Sequence, residues 1–216
     1  MTQNRRTPNQ VGRPRTSSRA MLEDAATELF VENGYANTTI DQIAQRAGVS
    51  RNTFFNYFDA KSDLLWLEVD HGIDRVAQEL DLVQDDAPVV AALRGALLRA
   101  AAEFGIDRVP LALTQGEVMG TKEETQSSGL TRLTRRSELV AAFLRSRLGG
   151  SVGSPVGELV ILSSAGAISA AVSAAWTVWA ADGIGRRPLA DYVGEAFDTV
   201  AGGVDVALGG QQSVRG

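Results

Sequence analysis

Arg51, Asn52 and Phe55 stand in the run SRNTFFNYF, spaced to face one way along a helix while Phe54 and Phe58 face the other. A guanidinium and a carboxamide each offer paired hydrogen-bonding atoms that match base edges, and an aromatic ring suits a thymine methyl. Those three side chains carry the chemistry of reading a DNA major groove. Ser50, Thr53, Asn56, Tyr57 and Lys61 lie around them and complete the candidate DNA-binding set with hydroxyls, an amide and an ammonium. Thr39, upstream, joins the same set.

Such side chains need two short helices to hold them. Ile40, Ile43, Ala44 and Ala47 form an i, i+3, i+4, i+7 stripe, with Thr39 before it as a helix cap. Gly48 suits the left-handed residue that closes a helix. Val49 plugs the corner, and Ser50 caps a second helix expected from Arg51 to Phe58. This is a helix-turn-helix. An earlier helix carries Leu22, Ala25, Ala26, Leu29 and Phe30 on one side and stops at Asn33-Gly34.

Catalysis finds no comparable constellation. The chain has no cysteine and one histidine, His71, so thiolate nucleophiles, disulfides and thiolate metal sites are excluded. Gly149-Gly150-Ser151-Val152-Gly153 matches G-x-S-x-G, but that elbow needs a strand before it and a histidine after it. Neither is expected. Asn37-Thr38-Thr39 fits a glycosylation sequon that a cytoplasmic chain would never use. No metal and no cofactor are expected.

The segment from Leu22 to Leu65 resembles the TetR family of bacterial transcriptional regulators. The likeness rests on A-x-x-L-F-x-x-x-G-Y, then T-T-I-x-x-I-A-x-x-A-G-V-S-x-x-x-x-F-x-Y-F-x-x-K-x-x-L-L. It implies that the second helix docks in the major groove while Tyr57 and Lys61 grip phosphates. Where many members carry Gly and Tyr in that helix, this chain has Asn52 and Phe55, and Phe55 brings no hydroxyl. The C-terminal half also resembles the acyl-CoA-responsive branch of the family.

Charge is divided along the chain. Residues 1–22 hold five arginines and no acid, while 20 of the 26 acidic residues follow Lys61, giving a net charge of −5. A basic end on an acidic body is the asymmetry of a protein that meets phosphate at one end. Residues 1–16 read as a flexible basic arm, either a plain tail or one laid in the minor groove. They contain no apolar core of a secretion signal, so a cytoplasmic location is expected.

The remainder reads as helices without strands. Lys61 is expected to open a long helix with Leu65, Val69, Ile73, Val76 and Leu80 along one side. Further helices are expected over about 89–104, from Pro110, over 130–148, over 155–181 and over 188–208, with Gly129 read as an interruption. The run Leu159–Ala181 has 23 uncharged residues, enough for a membrane span, yet only nine are large and apolar. Packing against other helices is the expectation, with no membrane.

The expected fold is therefore all-α. An arm (1–16) precedes a three-helix helix-turn-helix domain (17–64), a ligand-binding and dimerisation domain (65–209) and a disordered tail (210–216). Ala167, Ala171, Ala174, Val193, Phe197 and Val200, on the last two helices, are the expected homodimer interface, an arrangement the family resemblance also implies. Trp66, Phe104, Met119, Phe143, Trp176 and Trp179 either line a cavity or simply fill the core. Arg132 and Arg136 share a helix face that is either solvated or holds an anionic head group. The expected function is a DNA-binding transcriptional regulator, a repressor that binds a palindromic double-stranded operator as a dimer. A small hydrophobic effector, an acyl-CoA being one candidate, would release it. The alternative is an all-helical interaction module or enzyme that keeps the helix-turn-helix for packing.

Overall fold

The computed structural model describes residues 18–106, 108–114, 122–148 and 155–212, which divide into two compact units between Lys61 and Ser62. Among the described residues all regular structure is helical. The basic arm, Met119 and the G-x-S-x-G stretch lie outside them.

The N-terminal unit consists of α1 (Ser18–Asn33), α2 (Ile40–Arg46) and α3 (Arg51–Phe55). Its core is one apolar stripe of α1, Leu22, Ala25, Ala26, Leu29 and Phe30, closed by Ile43, Ala44, Phe54 and Phe58. The α2–α3 corner is held by local hydrogen bonds at both ends. Thr39 and Gln42 form a reciprocal capping box at the start of α2. At its end the Val49 amide reaches the Ala44 carbonyl (2.9 Å) and the Gly48 amide reaches Gln45 (3.0 Å), with Gly48 at φ +69°. That double bond around a left-handed residue is a Schellman closure, and a side chain at Gly48 would strain it. Ser50 then caps α3 by accepting from the Thr53 amide at 3.1 Å.

Two expectations fail here. The second helix ends at Phe55, not Phe58, because the amides of Tyr57 and Phe58 both bond to the Phe54 carbonyl and tighten the last turn. Phe58 still packs on Phe54, with ring centroids 5.4 Å apart. Lys61 does not open a long α-helix either. It begins a 3₁₀ turn, Lys61–Trp66, that buries Ser62, Leu64, Leu65 and Trp66, and α4 (Leu67–Asp81) follows. A one-sided stripe could not bury four residues so close together.

The C-terminal unit contains α4, α5 (Val89–Ala102), α6 (Leu111–Thr114), α7 (Lys122–Leu148), α8 (Pro155–Ala181) and α9 (Leu189–Gln212). Helix α8 packs along α7 and α9, and α5 lies against α4 and α9. Trp179 is fully buried at this junction, its indole N–H donating to the Arg187 carbonyl at 3.0 Å. Trp176 meets it edge-on at 5.6 Å and meets Phe104 at 5.0 Å. Helix α7 runs straight through Gly129, which does not interrupt it as expected. The Trp66 ring lies against that glycine, where a Cβ would come within 3.1 Å of Cζ2. Close approach, and not helix breaking, explains the residue. Helix α9 likewise continues to Gln212, into the tail expected from 210.

Candidate nucleic-acid interface and cavity

Arg51, Asn52 and Phe55 are exposed on one side of α3, while Phe54 is completely buried on the other. Packing therefore fixes the helix and leaves the groups able to read bases in solvent. Arg51 donates to Asp41 at 2.8 Å and its guanidinium lies 5.4 Å from the centre of the Phe55 ring. Asp41, which went unnoticed in the sequence, sits in the first turn of α2. Tyr57 and Asn56 are exposed, and Thr53 is half-buried beside Ser50. Thr39 is exposed but its hydroxyl is engaged in the capping box.

Lys61 is placed differently from the phosphate grip that the resemblance implies. Its ammonium donates to the carbonyls of Tyr35 (2.7 Å) and Thr38 (2.8 Å) and lies 3.9 Å from the centre of the Tyr35 ring. Thr38, itself buried, donates to Leu29 and Gly34 carbonyls. Lys61 thus ties the α1–α2 connection to the end of the unit. Arg46 makes a second tie, bonding Glu28 at 3.0 Å and Glu32 at 2.8 Å on α1.

The C-terminal unit holds a cavity of about 440 Å³, within the range of small-molecule sites. Trp66, Val69, Leu113, Leu133 and Trp176 form its apolar walls, with Ser173, Arg132 and Arg136 among its polar groups. Gln126, Leu130 and Thr177 at its rim are exposed. Phe104 lines a small neighbouring void together with Trp176 and Arg136. Phe143 and Trp179 line neither and are core. The missed lining residues Gln126, Gly129 and Leu133 recur with the expected Arg136 on one face of α7. That pattern was hidden because Gly129 was read as a break.

The shared face of Arg132 and Arg136 is not solvated: both are buried. Arg132 is neutralised by Asp70 at 2.7 Å and Asp63 at 3.2 Å, and lies 5.5 Å from the centre of the Trp66 ring. Burial holds the Asp70 carboxyl above its ordinary pKa despite that guanidinium. Arg136 donates to the Ser169 carbonyl at 3.1 Å and to the Ser173 hydroxyl. Burial alone pulls its pKa down to about 10. Among the described residues no cluster of three or more metal-binding side chains occurs.

The expected dimer residues divide. Val193 and Phe197 are buried inside the chain, because α9 uses that stripe against its own neighbouring helices, and they cannot face a partner. Ala171 and Val200 are half-buried. Ala167 is half-exposed and Ala174 exposed. The three alanines belong with Val156, Leu159, Leu162 and Val178, all more than half exposed, to an uncharged face along α8, while Val200 lies on α9. This helix is long and apolar enough to cross a membrane, with a mean hydropathy of 1.7 over its most apolar window, and its opposite face is packed in the unit.

Comparison with known proteins identifies the architecture. Residues 22–66 match the model of bacterial regulatory proteins of the tetR family, and residues 87–205, more than half the chain, match the MftR C-terminal domain. The chain belongs to the TetR family. It is 27% identical over 197 residues to a Mycobacterium tuberculosis protein described as a mycofactocin biosynthesis transcriptional regulator, MftR, covering 91% of this chain and 96% of that one. FadR of Thermus thermophilus, a TetR-family transcriptional repressor solved with lauroyl-CoA, aligns with a TM-score of 0.55 and 26% identity. That alignment covers 85% of this chain and 92% of FadR. The chain is also 38% identical over 77 residues to the transcriptional activator FasR of Mycolicibacterium smegmatis, covering 34% of this chain and 35% of FasR. These relatives are described as regulators of transcription.

Proposed function

We propose that this TetR-family chain is a cytoplasmic, homodimeric repressor that reads a palindromic operator with α3 and is released by an apolar small molecule. The exposure of Arg51, Asn52 and Phe55 on a helix anchored by buried Phe54 carries the DNA-reading assignment. In this reading Arg51 and Asn52 specify bases, Phe55 touches a thymine methyl, and Ser50, Thr53, Asn56 and Tyr57 hold phosphates. Lys61 acts from behind, by fixing the α1–α2 connection. One such helix covers too few bases to be selective, so two must act together, with half-sites about 34–36 Å apart or a multiple of that.

The uncharged face of α8 supplies the dimer contact, since an apolar patch of that length calls for a partner. The effector occupies the cavity walled by Trp66 and Trp176, and Trp66 ends the turn that Lys61 begins. A ligand that binds better when this turn is displaced would favour the DNA-free state; equal affinity for both states would shift nothing. The FadR likeness supports a lipid-like effector.

Selecting DNA fragments from a random pool with the purified protein tests the whole reading. A two-fold symmetric consensus is expected, together with dimer mass by light scattering. Leu162→Arg should give monomers that lose the consensus. Absence of any enriched sequence, or a Leu162→Arg dimer that retains operator binding, would refute the DNA or the interface assignment respectively.

A further inference from the structure

Arg136 is 4% exposed, yet its described partners are the Ser169 carbonyl and the Ser173 hydroxyl, both neutral. The other arginines of α7 reach Asp63, Asp70, Asp74, Glu158 and Asp85, and no ion pair among the described residues includes Arg136. Its Nε is buried without a partner. An isolated buried charge is strongly disfavoured unless something neutralises it, and here only burial acts on its pKa. Arg136 lines the cavity and the void beside it, so the space available for a counter-charge is the ligand site itself. Arg132, on the same wall, has two carboxylates and adds no free charge. One uncompensated cation calls for one negative charge, set among tryptophan and leucine walls.

We infer that the effector is an apolar monocarboxylate whose acid group enters the cavity and pairs with Arg136. This rests on the ligand-responsive reading above and narrows it. The Ser173 hydroxyl, already bonded to the guanidinium, is placed to share the carboxylate. The apolar body lies against Trp66, Trp176 and Leu133. An acyl-CoA carries its charge on the phosphates of its nucleotide end and none on the acyl group, so it does not offer the single carboxylate that one cation calls for.

The test is titration of the full chain, followed by calorimetry and tryptophan fluorescence, with two matched pairs. These are decanoate against 1-decanol, and 2-naphthoate against 2-naphthylmethanol; decanoyl-CoA is run beside them. At least one acid should bind about tenfold or more tighter than its alcohol, the value of a charge-assisted hydrogen bond in a buried site. Arg136→Met should bring that acid to the affinity of the alcohol and leave the alcohol unchanged. The wild-type pairs decide the matter even if the variant fails to fold. Equal binding of acids and alcohols, an acid affinity untouched by Arg136→Met, or binding of decanoyl-CoA without either acid overturns the inference while leaving a ligand site. If none of the five compounds binds, the ligand-responsive reading falls with it.

Discussion

Arg51 in the N-terminal unit and Arg132 in the C-terminal unit are built from the same parts. Each is paired with aspartate, at 2.8 Å and 2.7 Å respectively, and each lies about the same distance from an aromatic ring. They differ in exposure: the Arg51 side chain is 53% exposed and the Arg132 side chain 9%. Water screens the first pair, which is worth about 0–1 kcal/mol, so Arg51 can exchange aspartate for a base at little cost. The second pair is costly to break, because removing one member leaves charge behind in a poorly hydrated place. One unit therefore keeps its arginine available and the other locks its arginine in place.

The sharpest way to break this contrast uses the two neighbouring phenylalanines. Phe54→Ala empties the centre of the small N-terminal core and should cost about 3–5 kcal/mol. Phe55→Ala should change stability by less than about 0.5 kcal/mol and instead weaken operator binding. Urea unfolding and a DNA titration on both variants check this. A stability loss for Phe55→Ala as large as that for Phe54→Ala would mean that α3 presents the wrong face.

The next largest effect compares the arginines themselves. Arg132→Met removes the guanidinium nearest Asp63 and Asp70, leaving Arg135 4.0 Å from Asp70, and should cost about 3 kcal/mol in unfolding free energy, below the full buried-pair penalty because both acids keep some solvent contact. Arg51→Met should be nearly silent in the same experiment while losing preference at one operator position in each half-site, worth about 1–3 kcal/mol. Equal stability changes for the two variants would remove the distinction.

Much of the N-terminal unit was legible in the sequence because its signals are local. Thr39, Gly48 and Ser50 cap and close helices through bonds to residues a few positions away, and the all-helical fold follows from periods that need no partner. The boundaries of α8 emerged as read, Pro155 to Ala181, for the same reason. The C-terminal unit resisted where meaning depended on distant chain. Gly129 signals a tryptophan that lies more than sixty residues away in sequence, so it looked like a break. Val193 and Phe197 showed a true apolar stripe, but periodicity does not say whether its partner is α5 or a second chain. Arg132 and Arg136 showed a shared face, open between solvent and an anionic head group; the carboxylates of Asp63 and Asp70, distant in sequence, account for the burial of Arg132, and Arg136 is buried without them. For the nucleic-acid face, the residue types were readable and Asp41 was not, since its pairing with Arg51 spans the helix-turn-helix corner.

That missed pairing supplies the smallest and most discriminating effect. If the Arg51–Asp41 contact is a holding position that DNA must displace, Asp41→Asn frees the guanidinium before binding. Little stability should be lost, because the pair is exposed on both sides and an acid in the first turn of α2 adds only about 0.3–1 kcal/mol through the helix dipole. Operator affinity should rise by about threefold to tenfold, part of it from removing a negative charge near phosphate. A double-mutant cycle separates the two contributions. In an Arg51→Met background, Asp41→Asn retains its general electrostatic benefit and loses the part that acts through Arg51. The difference between the two backgrounds, read at the operator and at a scrambled duplex, should appear at the operator alone. An identical gain in both backgrounds would show that Asp41 repels DNA without restraining Arg51, and the exposed pair would then be an incidental surface contact.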